Sequence, residues 1–340
     1  MRVHSLLARR VIVIQMPLSE RKLIEQIRRV APRGGSVVTG IGDDCAVLSV
    51  PPGHEILVTT DFSIENVHFR RDWHPPALVG WRCLTRGLSD IAAMGGEPRA
   101  AFLSLALAGD VPQKWVSDFM KGLLTLAMKF KVPLAGGDTA QSVSGIQADI
   151  IVVGSVPKGK AILRSGAKPG DQIYVTGNLG ASAAILRKLE QLTRSQSKPK
   201  PLPPEFLRQL RPLPRLAIGQ WLRQHRVASA MIDLSDGLST DLDHLCEESR
   251  VGAELIAEAI PRAHVGADKS PIALEFALHG GDDYELLFTA AGSASVPAKV
   301  AGVKVTLIGH ITKSRGMRLR SNGRSKPLEA GGWEHFKKKK

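Results

Sequence analysis

Short apolar runs of strand length alternate with amphipathic runs of helical period from residue 36 onward, and this alternation limits the chain to an α/β architecture. Glycines and a proline interrupt the pattern at 158–171, where we place a domain junction. The sequence therefore predicts an N-terminal domain at 16–157 and a C-terminal α/β domain at 158–336. Residues 194–214 are rich in Pro, Ser, Lys and Gln and predict a loop or flexible insert. The predicted strands and helices include 55–61, 77–96, 100–107, 113–130, 148–156, 171–177, 215–225 and 305–312.

The two ends of the chain differ from the rest in composition. Residues 1–15 contain three arginines and no acidic residue, and their apolar run VIVI is short for a secretory signal. We expect them to be a disordered extension outside the fold. Residues 337–340 are four lysines, which predict a solvated, disordered basic tail.

The net charge of +14 raises the question of nucleic acid binding. The positive charge is concentrated in 1–30, 187–226 and 313–340, and the remainder of the chain is net acidic. These basic stretches lack interleaved aromatic residues, and the sequence contains no recognition motif for DNA or RNA. We therefore expect no nucleic acid partner.

The cysteines and the apolar runs indicate the compartment. Three cysteines lie far apart in the chain, which argues against a disulfide framework and against zinc-ligand spacing. No apolar run approaches the roughly 20 residues of a membrane span. We therefore expect a cytoplasmic protein without a membrane partner.

Aspartates recur at the ends of apolar strands or inside an apolar helix, beside small residues. Taken singly, each has an ordinary explanation as a turn residue or a helix cap, and Asp90 as an ion-pair partner of Arg86. Taken together, carboxylates at the ends of several buried elements converge and repel one another unless cations neutralise them. The aspartates are Asp43, Asp44, Asp61, Asp90, Asp138, Asp233 and Asp236.

The chemistry of these side chains favours Mg²⁺ as the neutralising cation. Hard divalent cations bind carboxylate oxygens, and the paired His or Cys ligands that zinc prefers are scarce here. Mg²⁺ held by few carboxylates commonly shares the phosphate oxygens of a nucleotide. Two glycine-rich turns, "GNLGASAA" at 177–184 and "AGGDT" at 135–139, are compatible with a phosphate site, although neither is a Walker A loop.

The motifs as a set resemble those of the thiamine-monophosphate kinase family. They are "GIGDDCAVL", "VTTDFSIENVHF", "LSDIAAMGGEP", "LAGGDT", "LRSGAKPGDQIYVTG", "IDLSDGLSTDL", "GGDDYELLFT" and "GGWEHF", and they occur in the family's order from about residue 18 to 336. The wider superfamily includes aminoimidazole ribonucleotide synthetase, selenophosphate synthetase and a hydrogenase maturation protein. Those proteins do not combine "NVHF", "RSGAKPGD" and the terminal "GWEHF".

This resemblance implies a fold and a reaction. The fold is that of the aminoimidazole ribonucleotide synthetase superfamily, in which an N-terminal domain dimerises through its sheet and a C-terminal α/β domain completes the active site. The reaction is phosphorylation of thiamine monophosphate by ATP to give thiamine diphosphate, the last step of its formation, assisted by several Mg²⁺ ions. A homodimer is therefore expected.

The resemblance also implies roles for individual residues. Magnesium ligands are implied at Asp44, Thr59, Thr60, Asp61, Asp90, Asp138, Asp233 and Asp236. Nucleotide contacts are implied at Gly137, Asp138, Arg164 and Ser235, and substrate contacts at His68, Asp282 and Trp333. The reaction itself is expected to depend on Asp44, Asp90, Asp138, Arg164 and Asp233. The family usually has Glu where this chain has Asp282, so that either Asp282, Asp283 or a water contacts the substrate.

Two other functions are compatible with the same residues. The first is another ATP-dependent reaction of the superfamily, although Cys45 beside the aspartate pair is a poor match to a reactive selenophosphate synthetase cysteine. The second is a regulator that binds metal and nucleotide without turnover, against which the complete acidic set argues. From spacing alone, Arg164 is a solvated loop arginine, His68 a structural histidine and Trp333 a core residue.

Overall fold

The computed structural model describes residues 20–31, 34–41, 45–195, 204–266 and 270–336. The predicted extension at 1–15, the basic tail at 337–340, and Asp43 and Asp44 lie outside these ranges. The described chain contains two separate large sheets with helices packed against them, which confirms the predicted α/β class. Its first half contains α1 Glu20–Val30, β1 Val37–Thr39, β2 Val47–Leu48, β3 His54–Ile64, α2 Pro76–Ala93, β4 Glu97–Leu107, α3 Gln113–Phe130, β5 Leu134–Gln141 and β6 Ile146–Pro157.

The sheet of the first half has four strands in the order β3-β6-β4-β5. Strands β3, β6 and β4 pair antiparallel, whereas β5 pairs parallel to β4 after the crossover helix α3. Side chains alternate across the sheet, so that Leu103 and Leu105 are buried in the core while Phe102 and Ser104 are only half-buried on the other side. We call the side that bears Phe102 and Ser104 the open face.

Helices α2 and α3 approach each other closely at two glycines. A Cβ atom on Gly80 would lie 2.0 Å from the carbonyl oxygen of Phe119. A Cβ atom on Gly122 would lie 1.8 Å from that of Ala77. Because any larger side chain would force the backbones apart, these glycines fix the position of α2 above the sheet.

The second half is built on a larger, mainly antiparallel sheet. Its path is β14-β13-β9-β12-β7-β10-β8, with β11 paired to β12 and only β9 and β13 parallel. Helix α7 packs against β8 and β9, and against α8. The elements are β7 Gln172–Thr176, α4 Ala181–Ser195, α5 Pro204–Gln209, α6 Leu216–Gln224, β8 Ala228–Asp233, α7 Leu238–Ser249, β9 Gly252–Ile256, α8 Leu274–His279, β10 Leu286–Ala290, β11 Lys299–Val300, β12 Val303–Thr312, β13 Gly316–Ser321 and β14 Arg324–Leu328.

The prediction of a loop over 194–214 is wrong for part of that stretch. Helix α5 lies within it, and Phe206 and Leu210, four residues apart, are both buried. They join a small apolar cluster with Ile185 and Val265. Two apolar side chains on one helical face were sufficient to anchor a segment whose overall composition is polar.

Helix α2 connects the two halves. On its far side it packs against α6 and β8, and a Cβ atom on Gly219 of α6 would lie 2.0 Å from the carbonyl oxygen of Ala92. The indole Nε1 of Trp81 donates to the carbonyl oxygen of Pro212 at 2.8 Å. One continuous hydrophobic core therefore contains side chains from both halves. In the parts of the chain described above, no helix is both long and apolar enough to cross a membrane.

Candidate active site

The end of α2 and the helix-facing side of β3 bring several of the predicted aspartates together. Asp90 accepts a hydrogen bond from the hydroxyl of Thr59, and Ser89 donates to Asp233 with an Oγ to Oδ2 distance of 2.6 Å. Thr59 and Asp61 share one side of β3 because they are two residues apart. We call Asp61, Asp90, Asp233 and Asp236 the inner acidic cluster.

Burial and mutual repulsion raise the pKa values of this cluster. Burial, followed by the charge of Asp90, raises the pKa of Asp61 to about 7. The same two causes hold the pKa of Asp233 well above its ordinary value. Burial is also the main cause that raises the pKa values of Asp90 and Asp236. Ionised carboxylates at this site therefore require positive charge from elsewhere.

The inner acidic cluster fits magnesium in its chemistry but is not a compact ligand set. Among the described residues, no group of three or more His, Cys, Asp or Glu side chains is arranged to hold one metal ion. Mg²⁺, however, commonly takes only one or two carboxylates and keeps several waters. Asp44 lies outside the described residues.

Thr60 and Asp138 lie on the open face, on the other side of the sheet from the inner acidic cluster. Thr60 donates to Asp149 with an Oγ1 to Oδ1 distance of 2.7 Å. Asp138 is paired in register with Ser104, which in turn is paired with Asp149, so these three side chains share one face. The predicted aspartates therefore form two groups rather than one, because neighbouring residues on a strand point to opposite faces.

A cleft on the open face surrounds the "AGGDT" turn. The cleft has a volume of about 590 Å³ and is lined by α1 and by strands β4 and β5. Gly137 has φ +148°, and a Cβ atom there would lie 1.8 Å from the carbonyl oxygen of Leu103. Asp138 is exposed in this cleft, and its Oδ1 accepts the N–H of Thr139 at 2.8 Å. Gly137 and Asp138 thus present backbone and carboxylate oxygen to an open groove.

Arg164 lies on an exposed loop that reaches toward the inner acidic cluster. Its charge is the leading electrostatic influence that lowers the pKa of Asp90 against the effect of burial. The loop is anchored by Ser249, whose hydroxyl donates to the carbonyl oxygen of Arg164 at 2.8 Å. The same hydroxyl accepts the N–H groups of Gly166 and Ala167, each at 3.1 Å. Ser249 at the end of α7 therefore positions the Arg164 loop.

Ser235 and Asp236 lie in the turn between β8 and α7, where three segments meet. The carbonyl oxygen of Ser235 accepts the N–H of Asp282 at 2.8 Å, and that of Asp236 accepts the N–H of Trp333 at 3.0 Å. Asp241 caps the turn by accepting the N–H groups of Asp236 and Gly237. These main-chain bonds hold the nucleotide and substrate candidates of the second half next to one another.

The substrate candidates His68 and Trp333 lie on either side of a third aromatic ring. The ring of His335 is 5.5 Å from the ring of His68 and 5.5 Å from that of Trp333. Burial, followed by the charge of Arg86, lowers the pKa of His68 to about 4, and its Nδ1 accepts the N–H of Ile64. Trp333 is 50 % exposed, so it does not seal the core. Residue His335 was not predicted from the sequence.

Trp333 and His335 also line an acidic cleft beside the inner acidic cluster. This cleft has a volume of about 310 Å³ and includes Asp236, Asp243 and Glu247 in its walls. Carboxylates and an exposed indole ring together suit a flat, positively charged ligand.

The third substrate candidate, Asp282, is engaged by two arginines of α2. Burial alone would raise its pKa, but Arg82 and Arg86 hold it at about 2. Asp283 is bonded on a different segment, since both of its carboxylate oxygens accept the N–H of Gly180, at 2.8 and 3.0 Å. The ion pair of Arg86 is with Asp282, so the alternative explanation of Asp90 as its ion-pair partner is wrong.

The interpretation of "GNLGASAA" as a phosphate site is not supported. The N–H of Gly177 donates to the carbonyl oxygen of Lys304, and that of Leu179 donates to the carbonyl oxygen of Pro261. The N–H of Gly180 is bound by Asp283. These three N–H groups are therefore hydrogen-bonded within the protein and are not available to a phosphate.

Both halves of the chain match models of one protein family. Residues 42–156 match the AIR synthase related protein, N-terminal domain, and residues 168–322 match its C-terminal domain. The thiamine-monophosphate kinase of Salmonella typhimurium is 39 % identical over 313 residues, which cover 88 % of this chain and 92 % of that kinase. The chain belongs to the thiamine-monophosphate kinase family.

Solved structures of the family agree with this assignment. The thiamine-monophosphate kinase of Stenotrophomonas maltophilia aligns with a TM-score of 0.75 at 34 % identity, covering 92 % of this chain and 98 % of that one. A structure of AaThiL complexed with AMPPCP and TMP aligns with a TM-score of 0.71 at 30 % identity, covering 95 % and 99 %. Membership in the thiamine-monophosphate kinase family confirms the resemblance seen in the motifs.

Proposed function

We propose that this protein transfers the γ-phosphoryl group of ATP to the phosphate of thiamine monophosphate, which gives ADP and thiamine diphosphate. The observation that carries this proposal is the position of the inner acidic cluster. It is built from both halves of the chain and adjoins the acidic aromatic cleft of Trp333 and His335. A relative of known structure binds AMPPCP and TMP together.

The acceptor needs no general base. A phosphate monoester has a second pKa near 6, so its oxygens are largely ionised at neutral pH. The obstacle is the repulsion between two anionic substrates and the alignment of the attacking and leaving oxygens. The absence of a Ser-His-Asp set among the described site residues is consistent with such a reaction.

The side chains have distinct roles in this proposal. The inner acidic cluster and Thr59, together with Asp44, would hold Mg²⁺ on the helix-facing side of the first sheet, and Thr60 and Asp138 would hold a separate ion on the open face; Mg²⁺ when bound neutralises phosphate oxygens. Gly137, Asp138, Arg164 and Ser235 orient the nucleotide. His68 and Trp333 position the thiamine moiety, whose cationic ring suits the indole face and the carboxylates of the acidic cleft.

A coupled ADP-release assay with ATP, MgCl₂ and thiamine monophosphate tests the proposed reaction. We expect turnover that stops when EDTA is added, and thiamine diphosphate as the product by chromatography. Thiamine without its phosphate serves as the control acceptor and should yield no ADP release above background. Absence of ADP release with thiamine monophosphate, or undiminished turnover in EDTA, would refute the proposal.

We also propose that the protein forms a homodimer in the cytoplasm and that the β3 part of the open face, away from the cleft of Gly137 and Asp138, is the contact. Ile56, Val58 and Phe62 alternate along β3 and are 58 %, 67 % and 54 % exposed. Thr60 lies between Val58 and Phe62 in this row. Exposed apolar side chains on an edge strand are typically covered by another chain. Val58→Lys should convert a dimer to a monomer in sedimentation equilibrium, whereas Val143→Lys, on an exposed turn, should not. A parent protein that is monomeric at micromolar concentration would exclude the dimer.

A further inference from the structure

Helix α2 carries two buried arginines on the same side as Asp90. Arg82, Arg86 and Asp90 follow one another at intervals of four residues, so they lie one turn apart along the helix. Arg82 is 5 % exposed and Arg86 is 9 % exposed. A buried guanidinium is costly unless its charge and its N–H groups are satisfied.

Both guanidinium groups converge on a single carboxylate. Nη2 of Arg82 lies 2.5 Å from Asp282, and Nη2 of Arg86 lies 3.2 Å from it. The hydroxyl of Tyr284 also donates to Asp282, at 2.6 Å. Two positive charges face one negative charge here, and the surplus positive charge also acts on Asp61 and Asp90 of the inner acidic cluster.

The backbone holds Asp282 in this position. Asp282 and Tyr284 have φ values of +67° and +51°, a region that residues with a side chain seldom occupy. Such strain persists where the surrounding structure fixes it, and it is concentrated at functional sites. The backbone thereby holds the Asp282 carboxylate against the two arginines.

The two arginines differ in how fully they are bonded. Nη1 of Arg82 also contacts the hydroxyl of Ser182 and the carbonyl oxygen of Leu210, at 3.3 and 3.5 Å. By contrast, Nε of Arg86 is buried and has no hydrogen-bond partner among the described residues. Leaving a buried donor unpaired is unfavourable, so a ligand acceptor is expected at this position.

Arg86 acts electrostatically on both parts of the site. Its charge acts on Asp61 and Asp90 of the inner acidic cluster and also on His68 of the substrate side. An acceptor whose ring lies near His68 has its phosphate near Asp61 and Asp90. A phosphate beside carboxylates needs a cationic partner. A planar guanidinium is well suited to phosphate oxygens.

We propose that Arg86 binds the phosphate of the acceptor, with Asp282 as the residue that orients its guanidinium. This inference rests on the proposed function and names the group that recognises the acceptor's anionic end. In this proposal Asp282 holds the Arg86 guanidinium in place. Because the Asp282 carboxylate is paired with arginine, its charge does not repel the phosphate of the acceptor. Arg86 thus determines specificity for a phosphorylated acceptor over its unphosphorylated form.

The test compares two ligands that differ only in the phosphate. Dissociation constants of thiamine monophosphate and thiamine are measured by calorimetry, in MgCl₂ without nucleotide, for the parent and for Arg86→Met. We expect thiamine monophosphate to bind about 10- to 100-fold more weakly to the variant, which is the loss of one charge-assisted interaction. Thiamine should bind within about twofold of the parent. Equal losses for both ligands, or no loss for thiamine monophosphate, would overturn the proposal.

Further variants separate recognition from folding. Arg86→Lys keeps the charge and should recover part of the lost affinity, whereas Asp282→Asn should weaken thiamine monophosphate about 3- to 10-fold. Arg99→Met is the matched control, since Arg99 is a part-buried arginine bonded to Glu97 and Ser155. It should leave both constants unchanged. If Arg86→Met does not fold by circular dichroism, Arg86→Lys and Asp282→Asn decide: unchanged discrimination in both would overturn the role of Arg86.

The two proposals fail in different ways. A parent protein that neither binds thiamine monophosphate nor releases ADP with it would refute the proposed function. A parent that is active, with discrimination between the two ligands unaltered by Arg86→Met, would refute only the role of Arg86.

Discussion

Replacing Asp61 with Asn should stabilise the metal-free protein at alkaline pH. Asp61 lies on the helix-facing side of β3, in a position where burial is the main cause that raises its pKa to about 7. The charge of Asp90 raises it further, as do those of Asp236 and Asp149, while Arg86 opposes them. Asparagine has nearly the same shape and carries no charge at any pH.

The size of the effect follows from the difference between the folded and unfolded pKa values. In the unfolded chain Asp61 ionises near its ordinary value of 3.8, whereas in the folded protein it ionises near 7. Below pH 3.8 the carboxyl is protonated in both states and has no effect on the free energy of unfolding. As the pH rises from 3.8 toward 7, the unfolded chain ionises first and the free energy of unfolding decreases. At 1.36 kcal/mol for each pH unit, the loss reaches about 4 kcal/mol at pH 8 and about 2 kcal/mol at pH 5.

Urea denaturation in EDTA at pH 5 and pH 8 measures this difference. We expect Asp61→Asn to gain more stability at pH 8 than at pH 5, and MgCl₂ to stabilise the parent more than the variant. Asp118→Asn is the control, because Asp118 forms an exposed pair with Lys114 on α3 and should change stability by less than about 1 kcal/mol. If Asp61→Asn were less stable than the parent at pH 8 in EDTA, the carboxylate would be satisfied within the protein and the reasoning would be wrong.

Three other changes test separate parts of the structure. Burial, followed by the charge of Arg82, lowers the pKa of His74 to about 4. The free energy of unfolding should therefore decrease by up to about 3 kcal/mol as the pH is lowered from 6.5 to 4, and His74→Gln should reduce this pH dependence in urea denaturation. Gly122→Ala places a methyl group 1.8 Å from a carbonyl oxygen of α2 and should cost about 1–3 kcal/mol in thermal unfolding, although alanine favours helix. Ser249→Ala removes the hydroxyl that anchors the loop of Arg164, so KM for ATP should rise about tenfold with a smaller change in KM for thiamine monophosphate. A stability that does not change between pH 6.5 and pH 4 would contradict the prediction for His74. An unchanged melting temperature would contradict that for Gly122→Ala, and an equal rise in both KM values would contradict that for Ser249→Ala.

The inner acidic cluster was predictable because its members share a local signature. Asp61 follows the apolar run of a predicted strand, although β3 continues to Ile64, and Asp90 lies within an apolar helical stripe. The sequence also predicts that Thr59 and Thr60 lie on opposite faces of the sheet, because neighbouring residues of a strand point in opposite directions. The family resemblance, which assigns both to metal binding, does not express that difference of face.

Other features depend on contacts that no local pattern encodes. Arg86 and Asp282 are 196 residues apart in the chain, so their ion pair arises only from the packing of the two halves. The four-residue spacing of Arg82, Arg86 and Asp90 would have indicated a common helical face, but not their partners. The same holds for the turn before α4, where the N–H groups of Gly177, Leu179 and Gly180 donate to Lys304, Pro261 and Asp283, which are distant in the chain.

The core that α2 shares with both halves has a consequence for how the molecule folds and evolves. Because α6 and β8 cover one side of α2 while the first sheet covers the other, neither half retains a closed interior when the other is removed. We therefore expect the two halves to unfold as a single cooperative unit, in which loosening of one half destabilises the other through the same helix. If one half were exchanged for that of a distant relative, the new surfaces would have to pack against both sides of α2. The two halves are therefore expected to change in sequence together.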